Sequence, residues 1–218
     1  FLEPGDSYFI AQTLEMESAM CFDVVDACMS WTRCCEIVQS LFQTGRYKRA
    51  MLVQSESSFA RQGNAFPRCF QLASTRDIAQ SFSAYCGGDA TTVTILSPDD
   101  SKPWEFNYST TKVAADLCTI PLPGWEDRCQ PTNKIGVNGL NAFTDFGAQF
   151  FQAGDPHFVK VLADLKPHYA ELKHLFCHTG GDLEHIYRRA NEQNVGDVVR
   201  CIFEDYGNIG PASLPASI

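Results

Sequence analysis

The sequence has 218 residues, of which 44% are apolar and 12% aromatic, and its formal net charge is −9. This composition is typical of a globular chain with one large core or two small ones, and it excludes intrinsic disorder. The negative charge disfavours nucleic-acid binding, and no apolar run approaches the ~20 residues of a membrane span. We therefore expect no nucleic-acid partner and no membrane partner.

Ten cysteines are scattered through apolar segments, without CxxC pairs and without regular spacing. Zinc sites and disulfide frameworks both depend on such spacing, so neither is predicted. The chain begins at Phe1 without a charged and then apolar leader. We expect a reducing, cytoplasmic location.

The first hundred residues predict helices alternating with buried strands. The predicted elements are a helix at 7–16, a strand at 19–25, a helix at 28–42, and strands at 49–56 and 87–96. The segment at 19–25 is rich in β-forming residues, the strand at 87–96 is rich in β-branched ones, and the second helix contains no Gly or Pro before Gly45. Residues 19–56 are therefore predicted to form a strand–helix–strand unit.

The remaining residues begin with a long connection and then regain regular patterns. Residues 101–139 contain four prolines and several turn signals, which indicates a connection that packs over another part of the molecule. The predicted elements after it are a helix at 141–165 interrupted at 154–156, a strand at 172–177, a helix at 182–191, a strand at 198–203, a turn at 206–210 and a helix start at 211–213. The phenylalanine stripe on the first of these helices is predicted to be core: Phe143, Phe146, Phe150 and Phe151.

Cys28 stands at the predicted junction between a strand and a helix. A cysteine in the first turn of a helix faces unpaired backbone N–H groups and the positive end of the helix dipole, and both favour the thiolate. We therefore expect the pKa of Cys28 to fall below its ordinary value of about 8.5. The alternative is a buried structural cysteine, since free cysteines are often buried.

Two further junctions carry polar side chains. His178 and Asn208 both follow predicted strands, and this recurrence of the Cys28 pattern indicates an internally duplicated α/β fold. Cys can be acylated, His can move a proton or donate to an oxyanion, and Asn donates hydrogen bonds without changing charge. Each residue also has a purely structural interpretation. A histidine at a turn is often a capping residue, and Asn beside Gly is a common turn pair.

The motifs at these junctions resemble those of the thiolase superfamily, specifically the β-ketoacyl-acyl-carrier-protein synthase III group and the related chalcone-synthase-like polyketide synthases. Residues 22–28 (FDVVDAC) resemble the nucleophile strand of that family, and 45–53 (GRYKRAMLV) the helix end and strand that follow it. The turn at 87–90 (GGDA) is similar to the turn that opens the last strand of the first half. HTGG at 178–181 and YGN at 206–208 match the family's histidine and asparagine positions.

The resemblance implies a layered αβαβα thiolase-like fold made of two similar halves, residues 1–100 and 101–218, with chains paired as homodimers through the first half. It implies an acyl-thioester condensing enzyme in which Cys28 takes an acyl group and then joins it to a malonyl-type extender with loss of carbon dioxide. His178 and Asn208 would stabilise the enolate. Coenzyme A or acyl-carrier thioesters would be substrates, and no cofactor is implied.

Two departures from the family pattern matter. The His178 motif has glycines where the synthase III group usually has alanine and asparagine, which is closer to the plant-type polyketide synthases. Family members also extend beyond both ends of this chain, so we expect a fragment that lacks the C-terminal backbone N–H used with that of Cys28 as an oxyanion hole. Other hypotheses are an acyltransferase to an alcohol or amine, a non-catalytic partner subunit, and an unrelated Cys–His hydrolase.

An acyl carrier protein is typically acidic and would need a basic docking patch on this acidic chain. Two candidates are the residues at 46–49 and the pair Arg188 and Arg189. The resemblance favours the pair, because the family docks carriers on the helix after the histidine. Asp182 and Glu184 nearby would repel an acidic carrier, and the pair is equally consistent with a solvated helix face. Coenzyme A thioesters are therefore the alternative donors.

Overall fold

The computed structural model describes residues 3–59, 74–75, 78, 82, 85–99, 103–110, 114–120 and 144–218. Its α-helices are α1 (Asp6–Thr13), α2 (Ser30–Gln43), α3 (Gly147–Leu165), α4 (Leu183–Glu192), α5 (Phe203–Tyr206) and α6 (Ser213–Ser217). Its strands are β1 (Ala50–Ser57), β2 (Asp89–Leu96), β3 (Cys118–Thr119), β4 (Thr144–Asp145), β5 (Leu175–Phe176) and β6 (Val199–Arg200). Short 3₁₀ turns occupy Ala27–Met29, Lys166–Glu171, Gly196–Val198 and Gly210–Ala212.

In the first half, α2 packs against an antiparallel ribbon of β1 and β2. The two strands pair from Ala50 with Leu96 to Ser57 with Asp89, which confirms both predicted strands. Apolar residues on one face of α2 meet the ribbon in a core of Cys35, Val38 and Leu52. The Trp31 indole also donates a hydrogen bond of 3.0 Å to Thr94 Oγ1. This core fixes the helix that follows Cys28.

The predicted strand before Cys28 is absent. Residues 19–26 have no regular secondary structure, and Val25 is 96% exposed. A strand needs a hydrogen-bonded neighbour, and among the described residues β1 pairs only with β2. The strand–helix–strand prediction for residues 19–56 is therefore wrong, although its helix and second strand are correct.

In the second half, β5 and β6 run parallel, and α4 packs beside them. Their core contains five buried residues, namely Cys177, Ile186, Ala190, Val195 and Val199. The predicted interruption of α3 at 154–156 is wrong, because the helix continues through Pro156. Phe143 lies outside the described residues, and Phe150 is 43% exposed, so the predicted phenylalanine stripe is only partly core.

The two halves meet where Gly87 forms a parallel bridge with Asn208. The Gly88 N–H donates to the Asn208 carbonyl at 2.9 Å, and the Asn208 N–H donates to the Cys86 carbonyl at 2.6 Å. A Cβ on Gly88 would collide with the Tyr206 carbonyl oxygen, so this close approach requires glycine. The bridge places Asn208 at the contact between the halves.

The predicted connection at 101–139 falls largely outside the described residues. No helix in the part of the chain that the structure describes is long and apolar enough to cross a membrane.

Candidate functional site

Cys28 lies in the 3₁₀ turn Ala27–Met29, called here the Cys28 turn, immediately before α2. Ala27 adopts φ +46, a left-handed conformation that L-residues rarely take. Ser30 stabilises this turn because its hydroxyl donates to the Ala27 carbonyl at 2.8 Å and accepts from the Asp26 N–H at 2.9 Å. The thiol is therefore presented at the start of a helix, as the sequence predicts, but on a strained turn rather than at a strand end.

The expected depression of the Cys28 pKa is wrong. Burial raises the pKa of the Cys28 thiol to about 11, and the carboxylate of Glu56 raises it further, while a backbone hydrogen bond opposes both. The favourable field of the helix start is outweighed because the thiolate would lie in a desolvated place beside another negative charge. Cys28 is therefore a thiol at neutral pH.

His178 lies two residues after the end of β5 and is half-buried. Burial lowers its pKa to about 4, so the imidazole is neutral at pH 7. The turn after it is held by Thr179, a buried residue whose hydroxyl accepts hydrogen bonds from the N–H groups of Gly181 at 3.2 Å and Asp182 at 3.1 Å. Asp182 then caps α4 by accepting from the His185 N–H at 2.9 Å. This end of the site is rigidly built.

Asn208 lies beside the turn that follows His178. Its Oδ1 accepts a hydrogen bond of 2.9 Å from the Gly210 N–H, which directs Nδ2 to the other side. A Cβ placed on Gly180 would lie 3.7 Å from Nδ2, so the amide nitrogen faces the turn after His178. The 3₁₀ turn Gly210–Ala212, called here the Gly210 turn, packs against the Cys28 turn. Asn208 is thus close to the turn after His178, and the Gly210 turn that follows it connects it to the Cys28 turn.

Glu56, which lies near the end of β1, was not predicted from the sequence as part of the site. Its carboxylate accepts a hydrogen bond of 3.0 Å from Ser58 Oγ and packs against Gly210, where an added Cβ would collide with it. Burial raises the pKa of Glu56, with the Asp89 carboxylate adding to the rise and the Ser58 hydrogen bond opposing it. The available signal was a glutamate at the end of a buried strand, where charged side chains are uncommon.

Cys118 on β3 was also missed. Burial raises the pKa of the Cys118 thiol to about 12, and Asp145 and Cys28 raise it further, although the residue as a whole is exposed. The influence of Cys28 places the two thiols within electrostatic range of each other. No motif in the sequence links these two cysteines, because 90 residues separate them.

Arg188 and Arg189 on α4 differ in their surroundings. The Arg189 guanidinium forms a bidentate pair with Asp155, at 2.8 Å and 2.5 Å, and donates to Glu192 at 2.8 Å. Arg188 is exposed and donates to His185 Nδ1 at 2.9 Å. Arg189 is therefore a structural link to α3, and Arg188 is the member of the pair that faces solvent.

Two cavities border α2, with volumes of about 290 and 420 Å³. Trp104 lines both, and its backbone is held by Gln39, which donates to the Trp104 carbonyl at 3.0 Å and accepts from its N–H at 2.7 Å. Cys28, His178 and Asn208 line neither cavity.

The sequence matches no family model and no curated protein at a significant level. Solved structures do match. One is OleA of Xanthomonas campestris in a histidine-to-alanine variant, at 18% identity and a TM-score of 0.74, covering 99% of this chain and 62% of that one. Another is a cysteine-to-serine variant of the same protein with bound lauric acid and lauroyl-CoA, at 16% identity, a TM-score of 0.72 and the same coverage.

A third is OleA with bound cerulenin, at 17% identity and a TM-score of 0.75, covering 99% of this chain and 60% of that one. The chain thus spans about three-fifths of the length of these proteins. The predicted α/β class and thiolase-like architecture are confirmed by this likeness. The chain therefore has the thiolase-type α/β fold of OleA.

Proposed function

We propose that this chain carries the catalytic residues of an acyl-thioester condensing enzyme, with Cys28 as the nucleophile. The observation that carries the proposal is the position of Asn208, whose Nδ2 faces the His178 turn while the neighbouring Gly210 turn packs against the Cys28 turn. This arrangement supports a site in which a thiol, a neutral imidazole and a carboxamide from distant parts of the sequence act together. Condensation by thioester chemistry needs these three groups.

In the first step, Cys28 Sγ attacks the carbonyl carbon of an acyl-coenzyme A. The bond between that carbon and the coenzyme A sulfur breaks, the Cys28 proton passes to the departing sulfur, and an acyl-cysteine remains. The reaction exchanges one thioester for another, so it needs no oxidant and no cofactor. Likeness to a fold seen with lauroyl-CoA bound supports a fatty acyl donor.

In the second step, a malonyl-type thioester loses carbon dioxide and leaves an enolate. His178 is neutral at pH 7 and can donate one hydrogen bond to the enolate oxygen, and Asn208 Nδ2 can donate another. The enolate carbon then attacks the carbonyl carbon of the acyl-cysteine, the bond from that carbon to Cys28 Sγ breaks, and the departing sulfur takes a proton from solvent to return as the thiol. Because neither donor carries a charge, the pair favours the enolate without trapping the carboxylate of the extender.

Decarboxylation separates this proposal from its rivals. His178→Ala and Asn208→Ala should each lower malonyl-coenzyme A decarboxylation by about a hundredfold or more while leaving Cys28 acylation largely intact. An acyltransferase to an alcohol or amine, or a hydrolase, would lose acyl transfer in His178→Ala and remain unaffected in Asn208→Ala. A non-catalytic partner subunit would show neither reaction.

The second partner in the proposal is another copy of this chain. An apolar segment in the first half is exposed to solvent around the approach to Cys28, namely Tyr8, Phe9, Leu14, Met16, Met20, Phe22, Val25 and Met29. Exposed apolar patches of this kind are typical of protein interfaces. Light scattering of the full chain should give twice the monomer mass, and Val25→Asp should return it to the monomer mass.

An acyl carrier protein is a further candidate donor, docking at Arg188. Arg188→Glu should slow acylation from a carrier-bound thioester, most strongly at low salt, and leave acylation from acyl-coenzyme A unchanged. Arg46→Glu serves as the matched control, because Arg46 belongs to the other basic cluster. If Arg188→Glu and the original protein react equally fast with the carrier-bound substrate, the carrier does not dock on α4.

A further inference from the structure

The carboxylate of Glu56 is built into the contact between the two halves. Ser58 Oγ donates to its Oε1 at 3.0 Å, and Oε2 lies against Gly210. Gly210 has φ +53, and an added Cβ there would collide with the carboxylate, so this position requires glycine for backbone and space alike. The carboxylate is therefore held in one place rather than free to swing into solvent.

The place in which it is held borders the Cys28 turn. β1 packs against the Gly210 turn, and the Gly210 turn packs against the Cys28 turn. The negative charge of Glu56 acts on the Cys28 thiol, and it adds to burial in disfavouring the thiolate. Gly210 also donates its N–H to Asn208 Oδ1, so one glycine contacts the carboxylate and orients the carboxamide.

The other charged groups near this pair leave the effect of Glu56 in place. Asp89 on β2, which is paired with Ser57, adds a negative charge that acts on Glu56, and Cys118 on β3 interacts electrostatically with Cys28. On α2, which packs against the Cys28 turn, the cation Arg33 is already paired with Asp26 at 3.1 Å and Glu36 at 2.8 Å. In the described part of the chain the groups acting on Cys28 and Glu56 are therefore acidic.

We propose that the Glu56 carboxylate, which is held against the Gly210 turn beside the Cys28 turn, lowers the reactivity of Cys28 and so limits how fast Cys28 is acylated. This inference rests on the proposed function for its consequence in acylation, but the coupling between the two groups is independent of any substrate. A carboxylate beside the nucleophile makes Cys28 slow to react with small electrophiles in solution. A thioester that binds in the site, with its carbonyl carbon held against Cys28, should therefore react faster than a small electrophile in solution.

The test measures the reactivity of the thiol without any acyl donor. Iodoacetamide alkylates the thiolate, with iodide as the leaving group, and tandem mass spectrometry separates Cys28 from Cys21 on the same peptide. The rate at Cys28 is followed against pH in the full chain. Glu56→Gln should lower the midpoint of this pH profile by about half a pH unit to one pH unit. At a pH below the midpoint, alkylation of Cys28 should then be about three to ten times faster.

Two variants control for charge and folding. Glu56→Asp keeps the negative charge and should keep the midpoint high. Asp89→Asn removes one negative charge from the neighbouring strand and retains an acceptor for the Phe59 N–H, which now donates to Asp89 at 3.1 Å, so Cys28 should be nearly unaffected. If Glu56→Gln does not fold, Glu56→Ala, which removes the negative charge together with the carboxyl group, should lower the midpoint in the same direction.

An unchanged or raised midpoint in a folded Glu56→Gln protein would overturn the inference, and so would an equal fall in Asp89→Asn. The outcome is separable from that of the proposed function. A lowered midpoint in a protein that never takes an acyl group would support the coupling of Glu56 to Cys28 and contradict the condensing-enzyme proposal. Acylation of Cys28 together with an unchanged midpoint would support the condensing-enzyme proposal and contradict the coupling.

Discussion

The chain segments that precede His178 and Cys28 differ from each other more than the helices that follow these two residues. His178 is preceded by β5, which pairs with β6, and followed by the Thr179 turn and a capped helix. Cys28 is preceded by residues 19–26, which have no regular structure and leave Val25 almost fully exposed. The donors of the proposed site are thus fixed by the fold of this chain, whereas the nucleophile depends for its support on α2, Ser30 and the Gly210 turn.

This difference matches the different requirements of hydrogen-bond donors and of a nucleophile. Hydrogen-bond donors act through geometry, so they benefit from a rigid frame that costs no reorganisation during the reaction. A nucleophile must be reached by a substrate, so its turn needs less support on the side from which the substrate comes. Substitutions that weaken each region in turn test this difference. Their expected effects are given from the largest to the smallest.

The largest effect is expected at the contact between the halves. Ile209 is 2% exposed and follows Asn208, and Ile209→Ala should lower the free energy of unfolding by about 2–5 kcal/mol, because the cavity it leaves cannot collapse. Val25→Ala, on the open approach to Cys28, should change it by less than about 0.5 kcal/mol. Urea denaturation measures both. Similar values for the two variants would mean that the regions are equally supported.

The next effect concerns the glycine at the bridge. Gly88→Ala should lower the free energy of unfolding by about 1–3 kcal/mol or more, since its Cβ would meet the Tyr206 carbonyl oxygen and Ile209. The matched control is Gly154→Ala in α3, where nothing lies within 4 Å of the added Cβ, and it should raise stability by about 0.5–1 kcal/mol. Thermal melting compares them, and a stable Gly88→Ala protein would contradict the close approach.

A smaller effect is expected from pH. The folded-state pKa of His178 is lowered to about 4, below its unfolded value of about 6.5, so the unfolded chain binds the proton first. Stability should be complete above pH 6.5 and fall as the pH drops towards 4, by about 1–2 kcal/mol at pH 5. Denaturation at pH 7 and pH 5 measures this loss. His178→Gln should remove most of it, and an undiminished loss would assign it to other groups.

The smallest effect should come from the turn after His178. Thr179→Val removes the acceptor of two N–H groups and should lower the free energy of unfolding by about 1 kcal/mol. Thr179→Ser keeps the hydroxyl and should restore the hydrogen bonds. Malonyl decarboxylation should fall in the Val variant while Cys28 alkylation stays unchanged. A parallel loss of both would show that the two junctions are coupled.

A structural feature of this protein can be predicted from the sequence when the residues that determine it lie close together in the chain. Strands β1 and β2 and helices α2 and α4 follow from apolar periodicity, turn residues and caps, all of which lie within each segment. The strand predicted before Cys28 fails because an apolar β-rich run still needs a partner strand, and the described chain supplies none. α3 passes through Pro156 because the helix tolerates one lost backbone hydrogen bond.

The candidate site shows the same limit. Cys28, His178 and Asn208 were found from their places at the ends of predicted elements and from the family resemblance. The influence of Glu56 on Cys28 was not, because it depends on how β1 and the Gly210 turn meet in space. The predicted direction of the Cys28 pKa was wrong for the same reason. Local helix electrostatics can be predicted from sequence, whereas desolvation requires the packed structure.

The central claim is that Cys28 becomes acylated, and the most direct test is to map the acyl group. The full chain is incubated with lauroyl-coenzyme A and digested, and tandem mass spectrometry locates the adduct among the cysteines. Our account predicts a lauroyl group on Cys28 that is absent in Cys28→Ser and present in His178→Ala. A lauroyl group on Cys34 or Cys35, with Cys28 unmodified, would contradict it.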